Sequence, residues 1–303
     1  MKSATKEIPI LEGADLHKIH FGRRLAEFPF ESTHFYAQRL EENRKKINFP
    51  LPPHRKTVHD LIFITHGQSV RSKGLNEYAF GKNQIFCQPA LQITDHKSMS
   101  EDVKGYFVHF SSDLFAEMPN TLNSFQFLKF HAEPVIAVSE QALEPLKILF
   151  ERLIQLYADE KLRDEKLRDE KLLIRGYLLA VFSEMSYLSG SRELDKRDTA
   201  AILTQKYKDG LSQHIYSYRT VAEFSELLHV TPNHLNKCVK KTLNKTAQDL
   251  LNEMLMLEAK SLLKYSDLSV LEISHKLFKS TPSNFSRFFK SLSGMTPLEF
   301  RKG

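Results

Sequence analysis

The chain has 303 residues, with 43 Lys and Arg against 37 Asp and Glu, a formal charge of +6. That length points to two domains and buries enough apolar surface to fold without disulfides. Cys87 and Cys238, far apart, exclude a disulfide framework and a Cys-rich zinc module, and no apolar run reaches the roughly 18 residues of a membrane span.

Met1 to Leu16 carries Glu7, Glu12 and Asp15 and lacks the apolar stretch of a secretory signal, so the expectation is a soluble protein of a reducing compartment. The first 135 residues read as β-rich. Val58–Thr65 is a β-branched and aromatic run between two turn signals, Leu51-Pro52-Pro53 before it and His66-Gly67-Gln68-Ser69 after it. Shorter runs follow at Asn76–Phe80, Gln84–Cys87 and Gly105–Ser111, punctuated by Gly74, Gly81 and Pro89. Short strands without helical pattern between them predict an antiparallel sandwich or barrel.

From Ser139 to Leu188 the apolar spacing changes to threes and fours. Leu143, Leu146, Leu149, Phe150, Leu153 and Tyr157 form one stripe, and Ile174, Tyr177, Leu178, Val181 and Met185 a second. Two amphipathic helices must hide these stripes, and pairing of two subunits is the expected way. Between them Glu160–Asp164 is repeated as Glu165–Asp169, with a third copy beginning at Glu170-Lys171-Leu172. A Leu every five residues turns about 140° per step and makes no single stripe, so this reads as a solvated helix or hairpin. The polar stretch around residues 191–198 is the expected linker.

The last hundred residues contain an internal repeat. Thr231-Pro232-Asn233-His234-Leu235-Asn236-Lys237-Cys238-Val239-Lys240 is matched fifty residues on by Thr281-Pro282-Ser283-Asn284-Phe285-Ser286-Arg287-Phe288-Phe289-Lys290. Upstream, Glu223–Leu228 matches Glu272–Leu277 at an offset of 49, so the connection in the second copy is one residue longer. Each copy reads helix, short turn, helix, the second helix opening on a Thr cap and a Pro in its first position. Leu235 and Val239, and Phe285, Phe288 and Phe289, share the inner faces. The outer faces carry Asn233, Asn236, Lys237 and Lys240 in one copy and Ser283, Asn284, Ser286, Arg287 and Lys290 in the other. Amides, hydroxyls and cations are the groups that read base edges and hold phosphates. Neither Thr231–Lys241 nor Lys279–Lys290 contains an acid, and Thr199–Gly303 holds 15 Lys and Arg against 9 acids, the whole excess of the chain. A connecting helix predicted over about 247–266 would span about 30 Å, close to one turn of B-DNA. Thr296-Pro297-Leu298-Glu299 predicts a last short helix.

These residues, over roughly Lys206–Lys302, resemble the AraC/XylS family of bacterial transcription regulators. The most specific part is Asn284–Lys290 followed by Ser293-Gly294-Met295-Thr296-Pro297 and Phe300-Arg301. The resemblance implies two helix-turn-helix units on adjacent major-groove segments, with base-reading positions at Asn233, Asn236 and Lys237 and at Ser283, Asn284 and Arg287. Three positions depart from the family pattern. Phe278-Lys279 replaces the usual Gly-Phe, Met254-Leu255-Met256 stands where an Arg is usual, and Asn244 stands where Gly is common.

The N-terminal part resembles the cupin-like jelly roll that often precedes such a domain, and Gly81, Pro89 and His96 are similar to half a cupin motif. A metal-binding cupin would supply His-x-His, a Glu and a later His. No His-x-His occurs, so no metal and no other cofactor is expected. His54 and His96 are weak candidates for lining an effector pocket. Gly-x-Ser-x-Gly, His-Glu-x-x-His and Gly-x-Gly-x-x-Gly are absent, and Gly74–Asn83 misses a phosphate loop by two spacers, reading instead as a hairpin turn.

The expected fold is therefore α+β and multidomain: an N-terminal antiparallel β jelly roll with an α-helical hairpin, then an all-α domain with two helix-turn-helix units joined by a long helix. The expected domains are a cupin-like sensor at 1–138, a helical dimerisation segment at 139–190, a linker at 191–198 and a DNA-binding domain at 199–303. The resemblance implies a cytoplasmic bacterial regulator, not an enzyme. Its partners would be double-stranded promoter DNA, a second copy of the chain, a small organic effector in the barrel and, for an activator, RNA polymerase, with no membrane. A metal-dependent cupin enzyme with an accessory DNA-binding tail is the alternative.

Overall fold

The structure is a computed structural model that describes residues 8–11, 34–118, 121–129, 132–158, 168–189, 199–278 and 280–302. The chain divides into two compact units, one of them Pro9–Arg192 and the other built around Glu193–Gly303. The expected linker at 191–198 and the first copies of the charged repeat, 160–167, lie outside the described residues.

Among the described residues the first unit has ten strands in two sheets. They are β1 (Ile10–Leu11), β2 (Phe35–Arg39), β3 (Leu51–Lys56), β4 (Val58–His66), β5 (Gln68–Lys73), β6 (Asn76–Gly81), β7 (Gln84–Gln88), β8 (Thr94–Met99), β9 (Lys104–Ser111) and β10 (Val135–Ala137). One sheet runs β1-β3-β8-β5-β6 and the other β10-β7-β4-β9-β2; every pairing is antiparallel except β1 with β3. The short helix α1 (Leu40–Arg44) follows β2, and α2 (Glu140–Ala158) and α3 (Arg168–Leu188) close the unit.

Strand β4 is buried on both faces, which is why it reads as a near-continuous apolar run. Leu61 and Phe63 face one way, into a cluster with Phe35, Val108 and Phe110 of the neighbouring strands. Leu146, Phe150 and Leu153 of α2 and Leu178, Val181, Phe182 and Met185 of α3 close the same cluster. Each such side chain contributes about 1.5–3 kcal/mol of burial. The two helical stripes thus cover the chain's own sheet, with Leu143, Leu149, Tyr157 and Tyr177 partly buried against the same cluster. The alternate residues of β4, Asp60, Ile62 and Ile64, face the other sheet.

Pro52 and Pro53, read above as a turn, lie inside β3. The register of β3 against β8 shifts between Leu51 and His54, an irregularity that accommodates residues with no N–H to give. Gly105 has φ +146°, and a Cβ there would lie 2.0 Å from the Phe63 carbonyl oxygen, so β9 crosses β4 at this point only with glycine.

The second unit is helical. It contains α4 (Thr199–His214), α5 (Val221–Leu227), α6 (Pro232–Leu243), α7 (Ala247–Tyr265), α8 (Val270–Ile273) running into a π-helical turn (Ser274–Phe278), α9 (Pro282–Ser293) and α10 (Pro297–Lys302). Helices α4 to α6 and α7 to α9 repeat the same three-helix plan. Phe224, Leu235 and Val239 centre the first copy, and Ile273, Leu277, Phe285 and Phe289 the second; all are fully buried.

Candidate nucleic-acid interface

Five helix starts in the second unit open on a Ser or Thr cap. Thr220 with Glu223, Thr246 with Asp249 and Ser269 with Glu272 form reciprocal capping boxes, while Thr231 and Thr281 cap α6 and α9 ahead of Pro232 and Pro282. Local chemistry thus defines where each reading helix begins. Both helices end in a left-handed cap, Asn244 (φ +56°) after α6 and Gly294 (φ +80°) after α9. Asn fills the first such position because its short polar side chain tolerates that conformation.

The turns before the two reading helices differ. In the first copy His229 adopts φ +56°, and Val230 N–H donates to the Ser225 carbonyl at 2.9 Å. In the second copy the extra residue is taken up by the π turn Ser274–Phe278, whose wider i→i+5 bonding accommodates one residue more. Ser274, fully buried, donates from its hydroxyl to the Ser280 carbonyl at 3.2 Å and ties the turn to the next helix. Phe278, where the family pattern has Gly, packs its ring 5.0 Å from Phe285 and 4.8 Å from Phe288. Lys279 lies outside the described residues.

Asn233, Lys237 and Lys240 are exposed on α6, and Ser283, Asn284, Arg287 and Lys290 are exposed on α9. Arg287 donates to Asn284 Oδ1 at 2.8 Å. Asn236 and Ser286 are only half-exposed. Asn236 Oδ1 accepts the Ala247 N–H at 3.0 Å, so this amide secures the first residue of α7 instead of standing free for a base. In the second copy the residue corresponding to Ala247 is Pro297, which has no N–H, and Ser stands at 286 in place of the amide.

Side chains that carry no reading pattern in the sequence hold this surface together. Tyr207 donates to the Ala247 carbonyl at 2.9 Å. Arg301 donates to the Leu263 and Leu268 carbonyls at 3.1 and 2.6 Å, binding α10 to the end of α7. Arg219 donates to four backbone carbonyls. Arg301 stood in the family-like Phe300-Arg301 pair, but Tyr207 and Arg219 had no signal beyond residue type, because their partners are main-chain atoms of other segments.

The first unit has a polar layer between its sheets. Gln88, Asp60, His109 and Tyr36 lie in one register across β7, β4, β9 and β2. Asp60 Oδ2 accepts from Arg71 at 3.0 Å and from Lys56, and all three side chains are essentially inaccessible. Asp60 Oδ1 and Gln88 Oε1 are buried without a hydrogen-bond partner. His54 Nδ1 lies 2.7 Å from the Pro52 carbonyl, and His96 Nε2 lies 2.7 Å from the Ser69 hydroxyl. Burial, reinforced by Lys56, lowers the His54 pKa to about 3; burial, with Arg71 and Lys56 adding to it, holds His96 well below the usual histidine range. The two candidate pocket histidines are thus in the layer, neutral, each with one ring nitrogen engaged. A divalent cation does not fit here. Lys56 stands where a His-x-His pair would have its second ligand, and the Asp60 carboxylate already binds two cations. Among the described residues no three His, Cys, Asp or Glu side chains converge as a metal site, and no described helix is long and apolar enough to cross a membrane.

Two capped helix-turn-helix units on one basic unit define a DNA-binding protein. Residues 224–303 match the family described as "Helix-turn-helix domain". The HTH-type transcriptional regulator YisR of Bacillus subtilis is 24% identical over 81% of this chain and 86% of its own. The HTH-type transcriptional activator RhaS of Escherichia fergusonii is 21% identical over 83% and 88%, and the Msm operon regulatory protein of Streptococcus mutans is 31% identical over 41% and 44%. Among solved structures, ToxT of Vibrio cholerae O395 covers 89% of this chain and 97% of its own with 15% identity and a TM-score of 0.38, a likeness too loose to carry a conclusion. Residues 224–303 thus form an AraC-type helix-turn-helix domain, and the chain is a DNA-binding transcription regulator.

Proposed function

We propose that the chain is a dimeric, effector-responsive regulator that reads two adjacent DNA boxes with α6 and α9. Asn233, Lys237 and Lys240 serve the first box, and Ser283, Asn284, Arg287 and Lys290 the second. Asn236 and Ser286 lie at the edge of these surfaces, Asn236 acting through Ala247. The observation that carries this reading is the pairing of the two helices. Both are cap-defined, both expose cations and amides without an acid, and α7 between them, 19 residues or about 28 Å long, nearly spans one turn of duplex.

Residues 1–138 act as the sensor, 139–190 as the dimerisation segment, 191–198 as the linker and 199–303 as the DNA-binding domain. With the inner stripes of α2 and α3 buried, pairing of subunits falls to their outer faces, where Ile148, Leu172, Leu173 and Tyr187 are exposed. The buried acceptors Asp60 Oδ1 and Gln88 Oε1 favour a small organic effector that donates hydrogen bonds, held near His54 and His96. It acts only through a difference in affinity between DNA-competent and incompetent arrangements. The working compartment is the cytoplasm, RNA polymerase is a partner if the regulator is an activator, and no catalysis is assigned.

Sequencing of fragments selected from random DNA by the purified full chain, at two salt concentrations, tests the reading. The expected result is a motif with two boxes about one helical turn apart. Recovery of salt-sensitive random fragments alone would overturn it. Stoichiometric iron, manganese or zinc in the purified protein would instead favour a cupin enzyme.

A further inference from the structure

We propose that Arg219 is a positioning residue that sets the separation of the two reading helices, and through it the box spacing the protein accepts; this rests on the two-box reading above. Arg219 lies in the loop between α4 and α5. Its guanidinium donates to the carbonyls of Ile215, Tyr216 and Tyr218, which anchor it to its own copy. Its main-chain N–H donates to Glu223 Oε2 at 2.9 Å, the carboxylate that also caps α5. The remaining bond crosses to the other copy: Nη2 donates to the Lys276 carbonyl at 2.7 Å. Lys276 lies in the π turn that leads into α9.

The adjoining side chains make a second crossing. Tyr216 donates to Glu258 Oε2 at 2.6 Å, and Glu258 is a buried residue of α7. The Lys276 ammonium stands 5.7 Å from the centre of the Tyr216 ring. Helix α7 fixes the distance between the copies along its axis. It does not by itself fix how the second copy rolls about that axis, since α8 is reached through the loop Ser266–Ser269. The Arg219 fork, planar and held at several points, supplies that restraint. One base pair inserted between boxes moves the second box about 3.4 Å along the duplex and about 35° around it, so a rigid pair of reading helices rejects it and a rolling pair follows it.

The test is a spacing series. Full-length protein is titrated against a selected two-box duplex, the same duplex with one base pair added or removed, and duplexes carrying either box alone. For the wild type we expect at least about a tenfold loss for each altered spacing. For Arg219→Met we expect the three two-box duplexes to fall within about threefold of one another, with single-box affinities unchanged. Arg219→Lys, which keeps one donor but not the fork, should be intermediate, as should Tyr216→Phe, which keeps the ring and loses the Glu258 bond. The proposal is overturned if Arg219→Met retains the wild-type spacing profile, or if it weakens single-box and two-box binding by the same factor, the mark of a general folding defect. A flat wild-type profile with intact single-box binding removes the two-box reading and the proposal with it, whereas single-box binding lost from the wild type itself would strike only at the assignment of the reading helices.

Discussion

Arg287 and Asn284, one turn apart on α9 and both exposed, are bonded to each other: the guanidinium donates to the amide oxygen at 2.8 Å. The pair leaves the Asn284 amide nitrogen and most of the Arg287 fork facing outwards, preoriented by their contact. In the proposed reading two neighbouring groups so linked would meet a base as a unit.

The energies of the two should therefore not add. On a selected operator Arg287→Ala is expected to cost about 1–3 kcal/mol, and the double variant with Asn284→Ala less than the sum of the singles. Equilibrium binding of the three variants measures this. Equal loss by Arg287→Ala on operator and random DNA would assign the guanidinium to a phosphate instead.

Asn236 and its counterpart Ser286 should separate. Asn236→Ala leaves the Ala247 N–H without its acceptor and is expected to lower stability by about 1 kcal/mol, while Ser286→Ala stays near zero because Pro297 presents no N–H to lose. Urea unfolding of both variants decides it; equal losses would mean that the Asn236 bond carries no weight.

In the sandwich, Asp60→Ala strands two buried cations, Lys56 and Arg71. A loss of about 3–5 kcal/mol is expected in the unfolding of the first unit, because a buried charge without its partner keeps the full cost of desolvation. Asp60→Ala at wild-type stability in urea would show that the layer is wet enough to solvate the two cations unaided.

Three of the buried histidines, His54, His59 and His96, make the first unit sensitive to acid. Burial, with Lys56 adding to it, lowers His54 to about 3; burial, with Lys129 adding to it, lowers His59 to about 4; burial beside Arg71 and Lys56 holds His96 well below the usual histidine range. Unfolded, each takes a proton near 6.5, so the unfolded state binds more protons below that value and stability falls as pH drops from 6.5 towards 4. Each ring contributes up to about 1.4 kcal/mol per pH unit in that window. Unfolding free energies at pH 7, 6 and 5 should show the slope, and His59→Gln should reduce it by about a third. A slope that His59→Gln leaves unchanged would mean the ring is protonated in the fold.

The helical unit was legible because its signals are local. Thr-Pro starts, capping carboxylates and a fifty-residue repeat sit within a few residues of the helices they define, and the connecting helix predicted to Ser266 ends at Tyr265. The long strand, read to Thr65, runs to His66. Strands β3, β5 and β8 were not legible. Leu51–Lys56, Gln68–Lys73 and Thr94–Met99 are polar, with prolines, lysines and histidines that read as loop, and only pairing in a sheet lets His54, Lys56, Arg71 and His96 turn inwards.

The sequence alone determined that two capped helix-turn-helix copies, basic and without acids on their reading faces, follow a β-rich part. Short-range hydrogen bonds and charge suffice for that. Only the tertiary structure decided that the stripes of α2 and α3 cover the chain's own sheet, that Asn236 serves Ala247, that a π turn absorbs the extra residue before α9, and that Arg219 reaches Lys276. Each of those depends on a partner distant along the chain, and residue type and spacing carry no record of which distant atom will be near.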